Sequence, residues 1–483
     1  MAQPSLLIQS LINATREEFF YHNMRIFQLR QKEYPFPACK DMLQLLSKID
    51  DASLNELDKL EKELSAAEIK NKEYLKQYLD KIKRYGQLVG ILHYLLTFFE
   101  MGSREYIPEG TRVLIDTIVR KFDPNATFIL VPINEHNYTY LDLMKPLKKA
   151  LSYTVPNIDE LLKQCSERFS VFGFPLIQKE NSILNSILAH EVGHFIDDVK
   201  EISDKLMNNV TLDSKIVDRI AKKAESTLIG EKKEIKLTYF ISPEELRATI
   251  TKLAASQISE WLKELVSDAI AFHLVGPVYL FSLTNFLVTV IDLNEAASDH
   301  PPPRMRIRLL LDIFRDMGYP SCIEETKGIK NQELPSKLLA FVQSIEELIE
   351  SADQGEAEDF TELVMSAVRK TIPALRQEVH KAVSDNQYNP EEFRKEVFKL
   401  VQLLDLVIPP AEIDTGKPAS IISVLNVGSL YELMQIEKLY EILEATDSKK
   451  QIEARHLLHK LILKALELSS AQTRMGKLLK SRD

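Results

Sequence analysis

Glycine is scarce, 14 in 483 residues, which speaks against a turn-rich β architecture and for helices, because glycine is the usual residue of tight turns and bulges. Cysteine is scarcer: Cys39, Cys165 and Cys322 are far apart, odd in number and include no C-x-x-C pair. That usage fits a reducing compartment and excludes both a disulfide framework and a cysteine zinc site. No basic excess is present, since 61 Lys and Arg face 71 Asp and Glu for a net charge of −10. A protein that binds nucleic acid by neutralising phosphates needs the opposite balance, so no DNA or RNA partner is expected. The first stretch, MAQPSLLIQSLINATREEFF, lacks a basic segment, a long apolar core and a small-residue cleavage site. A cytoplasmic location is therefore the expectation.

Long apolar runs are also rare. One, FHLVGPVYLFSLTNFLVTVI from Phe272 to Ile291, carries no formal charge over about 20 residues, enough to span a bilayer as a helix. It contains His273, Gly276-Pro277 and Asn285 and has no flanking basic belt, so a buried core hairpin is expected instead of a membrane span.

The composition that remains, 45% hydrophobic and 27% charged, is that of an ordinary globular protein. Residues 1–110 carry helical periodicity, with Leu57, Leu60, Leu64 and Ala67 spaced by three and four; an amphipathic helix within its own domain is expected, and the oligomeric state stays open. Residues 111–320 form a second region. It opens with strand-like segments at Phe128–Pro132 and Arg168–Ile177, the latter broken by Gly173 and Pro175. A helix is expected from Asn181-Ser182 to about Val199, followed by the lysine-rich linker GEKKEIK, and a second strong helix from Ala254 that must stop at Gly276 before Pro277. Residues 321–483 are again helical, apart from a proline-containing excursion at 407–428 whose composition suits a lid over a cleft. The expected fold is mainly α, with a small sheet preceding the ILAHEVGHFIDD helix and helical regions on both flanks.

That helix carries the chemistry. His190 and His194 are four positions apart and so share a helix face, which lets two imidazoles converge on one metal ion. Zinc takes neutral imidazole, and a catalytic zinc keeps three protein ligands and one water. Glu191 lies beside the first histidine, where a carboxylate can take that water's proton. Glu264 on the second helix is the third ligand of choice, with Asp268 one turn later as acceptor for the non-ligating nitrogen of a zinc histidine. Asp197 and Asp198 compete for the third position as short-spacer ligands. The extended metzincin pattern is excluded, because its glycine and third histidine are replaced by Asp197 and Lys200.

Together HEVGH (His190 to His194), ELVSD (Glu264 to Asp268) and HPPPRMRI (His300 to Ile307) resemble the gluzincin metallopeptidases of the HtpX-type and CAAX prenyl endopeptidase group, and within it a soluble bacterial branch. The resemblance covers roughly Phe169 to Leu310. It implies a zincin-like catalytic core that hydrolyses peptide bonds with Zn2+. His190, His194 and Glu264 would be ligands, Glu191 the general base and Asp268 the residue that orients a ligand. His300 would stabilise the transition state with electrostatic support from Arg306, and Tyr138, Tyr140 and Tyr279 are weaker candidates for that task. A peptide or protein substrate would add as an extra strand along Phe169, Val171 and Phe172. Two rival readings are a catalytically silent, zincin-like helical interaction protein and a membrane-associated protease.

Overall fold

The structure, a computed structural model, describes residues 4–66, 72–135, 137–152, 154, 168–231, 242–328, 333–352 and 359–480. Ala67, Cys165 and the lysines of the GEKKEIK stretch lie outside these residues. The chain forms two compact units, Met1–Arg112 with Asp123–Lys179, and Val113–Phe122 with Glu180–Asp483. This differs from the three regions expected, because the C-terminal helices share a core with the helices around the HEVGH segment.

In the first unit α1 (Pro4–Arg30), α2 (Ala38–Ala66) and α3 (Lys72–Met101) pack on one another; α4 (Glu109–Phe122) follows in sequence and from Val113 on belongs to the second unit. Next come β1 (Phe128–Ile133), β2 (Thr139–Asp142), α5 (Met144–Leu151) and β3 (Ser170–Pro175). The sheet order is β1-β3-β2, with Phe128 opposite Ser170 in the parallel pair and Thr139 opposite Gly173 in the antiparallel one. All of β3 is buried, and Phe36 and Phe99 lay their rings against Phe128 and Phe169. Continuous burial of this kind needs an unbroken apolar run instead of an alternating one. One expectation is corrected here. Phe169, Val171 and Phe172 are buried, and β3 is the middle strand with both edges already paired, so no peptide can add along it.

The second unit is built around one long helix, α9. Ahead of it stand α6 (Leu188–Lys200), α7 (Ile202–Met207) and α8 (Ser214–Glu231). The helix α9 spans Pro243–Val275 and α10 spans Pro277–Val290. Then come α11 (Pro303–Asp316), α12 (Tyr319–Glu324), α13 (Glu333–Ala352), α14 (Asp359–Val383) and α15 (Pro390–Leu404). A short hairpin of β4 (Glu412–Asp414) and β5 (Lys417–Pro418) leads to α16 (Ile421–Met434), α17 (Ile436–Ile442) and α18 (Ser448–Lys480). Helices α6, α7, α8, α11 and α14 all pack on α9, and from Leu265 to Val275 every α9 residue is buried. Each large apolar side chain buried this way contributes about 1.5–3 kcal/mol.

α9 begins eleven residues before the expected Ala254. Ser242 accepts from the Glu245 amide while the Glu245 carboxylate reaches back to the Ser242 amide, and Pro243 occupies the first turn. It ends where expected: Gly276 adopts φ 72°, a conformation side chains resist, and Pro277 starts α10. The uncharged run is thus folded into a helix corner, and among the described residues no helix is long and apolar enough to cross a membrane. Asn426 on α16 closes the corner by donating to the Val275 carbonyl at 2.8 Å and accepting from the Val278 amide at 3.0 Å. This also corrects the lid expected at 407–428. Its second half is the start of α16, whose residues from Ile422 to Tyr431 are buried, and that half cannot swing away without opening the core.

Candidate metal centre

α6 starts later than the sequence implies. Asn181 accepts from the Leu184 amide at 2.9 Å, but the turn it caps is a 3-10 turn over Leu184–Ile187, and α-helical geometry begins at Leu188. His190 and His194 then project from one face toward α9. Their Nε2 atoms stand 3.1 Å apart. Glu264 on α9 meets both, with Oε2 3.3 Å from His190 Nε2 and Oε1 3.2 Å from His194 Nε2. The three side chains could hold a metal ion, since one ligand atom from each lies within 4.8 Å of the others.

The donor set fits such an ion. His190 Nδ1 faces Asp268 Oδ1 at 2.9 Å, and a carboxylate only accepts, so one ring proton sits on Nδ1, and once Nε2 gives up its own proton His190 turns a lone pair at His194. Two imidazole nitrogens and a carboxylate crowded together in this way call for a cation among them. Tetrahedral zinc with bonds of about 2.0–2.1 Å would space its ligand atoms by about 3.3–3.4 Å, close to the separations found. Glu264 Oε2 is buried, and none of its contacts has hydrogen-bond geometry. His194 is oriented from its other side by the Ser267 hydroxyl at 2.9 Å from Nδ1.

Behind this cluster lies a buried ionic layer. Arg306 on α11 donates to Asp268 from Nε at 2.7 Å and from a terminal nitrogen at 2.8 Å, a two-pronged contact that suits guanidinium and carboxylate. The Tyr279 hydroxyl donates to the same carboxylate and stands 3.2 Å from His190 Nδ1. Burial works against ionising Asp268, but Arg306 and His190 outweigh it and hold its carboxyl well below the usual range. Glu264 is likewise held down by His190, His194 and Arg306 against the effect of burial. Glu191 goes the other way. Burial raises its carboxyl above the ordinary value despite the nearby histidines and Arg306.

His300 is the half-open member, with its side chain 46% exposed, Nε2 3.5 Å from Glu264 Oε2 and Nδ1 3.1 Å from Asp299. Its loop is tied down by Trp261, whose indole donates to the Ala297 carbonyl at 3.0 Å, and by the Ala297 amide, which donates to the His300 carbonyl. The structure therefore brings His190, Glu191, His194, Glu264, Asp268, His300 and Arg306 to one place. Tyr138 and Tyr140 belong to the first unit, in and beside β2, where the Tyr138 hydroxyl donates to Gln178. Asp197 is not a member either; its carboxylate accepts from the Ser203 amide at 2.8 Å and finishes α6, where Glu201 turns left-handed. Sequence reasoning missed Ser267 and Trp261 and undervalued Tyr279. The spacing of Ser267, one residue before Asp268 on the inward face of α9, was the available signal.

Gly193 sets how closely α6 and α9 approach. A Cβ there would fall 2.6 Å from the Ser267 carbonyl oxygen and 2.7 Å from its Cα, both backbone atoms that cannot swing aside. Gly193→Ala is expected to force the helices apart, costing about 1–3 kcal/mol in chemical denaturation and weakening metal uptake with it. A variant that matches the parent in both measurements would contradict this packing.

Metal uptake should depend steeply on pH. Burial lowers the His190 imidazolium, but Glu264 and Asp268 overcome that and raise it to about 10. A metal ion must displace this proton, so affinity should rise up to about tenfold per pH unit toward that value. In chelator-treated protein the sign reverses. The raised His190 contributes stability that is complete below the ordinary imidazole value of about 6.5 and is lost as pH rises toward about 10. Thermal unfolding from pH 6 to 10, with and without added zinc, would show the two curves diverging.

No protein-family model, curated protein or solved structure matches the chain. The site is therefore interpreted from its own geometry.

Proposed function

We propose that the protein is a zinc metallopeptidase of the gluzincin type, with a zincin-like core formed by α6 and α9. The observation that carries this is the pair of imidazole Nε2 atoms 3.1 Å apart, closed by a carboxylate from a second helix and adjoined by a buried second carboxylate, Glu191. His190, His194 and Glu264 would hold the ion. When bound, zinc supplies a Lewis acid for the scissile carbonyl and lowers the pKa of a coordinated water to about 7. Glu191 takes the water's proton and returns it to the leaving amine, a task for which a carboxyl raised by burial above its ordinary value is suited. His300, exposed on one side and next to Glu264, would steady the developing oxyanion. Asp268 orients His190, and Arg306 and Tyr279 hold Asp268 in place.

The decisive experiment is metal analysis of the purified protein alongside cleavage of an internally quenched peptide library, repeated for Glu191→Gln. Stoichiometric zinc in both proteins with cleavage in the parent alone is the expected result. Absence of stoichiometric zinc from both would sink the reading.

A further inference from the structure

The first unit contains a groove that the peptidase reading does not use. It is open to solvent and offers about 720 Å³ between α3 and α5, within the roughly 300–1,000 Å³ typical of small-molecule sites. Its α3 wall is a single helix stripe, Arg84, Leu88, Ile91 and Tyr94, at spacings of four, three and three. The same stripe runs about 15 Å along the helix axis. Pro146, Lys149 and Ala150 of α5 face it. The walls are mostly apolar, and the Tyr94 side chain lies more than half exposed in the groove although its ring is built for burial.

Charge selects the occupant. The polar heads at the groove include two cations, Arg84 and Lys149, and no acidic side chain lines it among the described residues. Neither cation has an ion-pair partner among those residues. The Tyr85 hydroxyl donates to the Thr154 carbonyl at 2.8 Å, which fastens the C-terminal end of α5 beside the Arg84 end of the stripe. Lys149 lies nearer that end than Pro146 does, so both cations gather toward one end of an apolar channel. Gly90 lines the channel. A methyl group placed there meets no atom within 4 Å, so no packing constraint requires a glycine in the middle of this helix, where it is unfavourable.

We infer that this groove binds a long-chain monocarboxylate, its tail along Ile91, Tyr94 and Ala150 and its carboxylate at Arg84 and Lys149. The test uses the full-length protein and the fluorescent fatty acid cis-parinaric acid, with oleate and dodecyltrimethylammonium as competitors. Saturable one-to-one binding is expected, displaced by oleate and not by the cationic amphiphile. Arg84→Glu combined with Lys149→Glu should weaken binding by about tenfold or more. Gly90→Leu should fill the channel and abolish binding while leaving the melting temperature unchanged or raised, which separates blockage from misfolding. Lack of saturable binding overturns the inference, as does equal displacement by both competitors or unchanged affinity in the Gly90→Leu protein.

Discussion

A Glu191→Gln protein is expected to keep its zinc and to lose peptide cleavage by roughly 10²- to 10⁴-fold in kcat/KM. The substitution is nearly isosteric at a buried position, so the packing of α6 on α9 should survive. Glu191 is not among the three side chains that converge on the ion site, so stoichiometric zinc should persist, as elemental analysis would show. What the amide cannot do is accept the water's proton and carry it to the leaving amine. The pH profile adds a second readout. Burial raises the Glu191 carboxyl, so activity of the parent should climb with pH through a value above the ordinary carboxylate range of about 4.3. Residual activity in the variant should lack that limb. Equal kcat/KM for the two proteins would remove Glu191 from the reaction.

The parts of this site that sequence could show are those fixed by local helix geometry. His190, Glu191 and His194 follow from a spacing of four on a 3.6-residue turn, and Glu264 with Asp268 repeats the same rule on a second helix. The stop at Gly276-Pro277 is equally local. Non-local pairing was not legible. Phe169, Val171 and Phe172 look like a strand in either setting, and only the pairing of both β1 and β2 with β3 shows that the strand has no free edge. The 407–428 excursion has prolines like a loop, yet the helix that follows them is seated by Asn426 on a corner about 150 positions earlier in the chain. The start of α9 is a different case. Ser242, Pro243 and Glu245 are a complete start signal, and it was legible but passed over because the charged, weakly patterned turns that follow resemble a linker. Trp261 and Tyr279 were visible as residues, but their roles depend on which carbonyl and which carboxylate the fold brings to them.

Arg306→Met is expected to produce the largest stability change, a loss of about 3–5 kcal/mol, because it leaves the Asp268 carboxylate buried beside Tyr279 and without its principal cation. Both partners are almost wholly withdrawn from solvent, so water cannot take over the guanidinium's two hydrogen bonds. The sign with pH follows from Asp268. In the parent its lowered carboxyl contributes stability that is present above the ordinary carboxylate value and is lost only as pH falls well below it. In the variant the carboxyl loses its largest favourable partner, and that loss should move toward neutral pH. A second substitution distinguishes packing from orientation. Adding Asp268→Asn to Arg306→Met removes the unpaired charge and should recover part of the lost stability. It should not recover metal binding, since His190 then faces a neutral amide in place of the carboxylate that fixes its ring proton, a change that costs about 10- to 100-fold in affinity at sites of this kind. Denaturation and zinc titration of the two variants would therefore move in opposite directions. Parallel recovery of stability and metal affinity would mean that Asp268 serves the core alone and leaves the orientation of His190 to Tyr279.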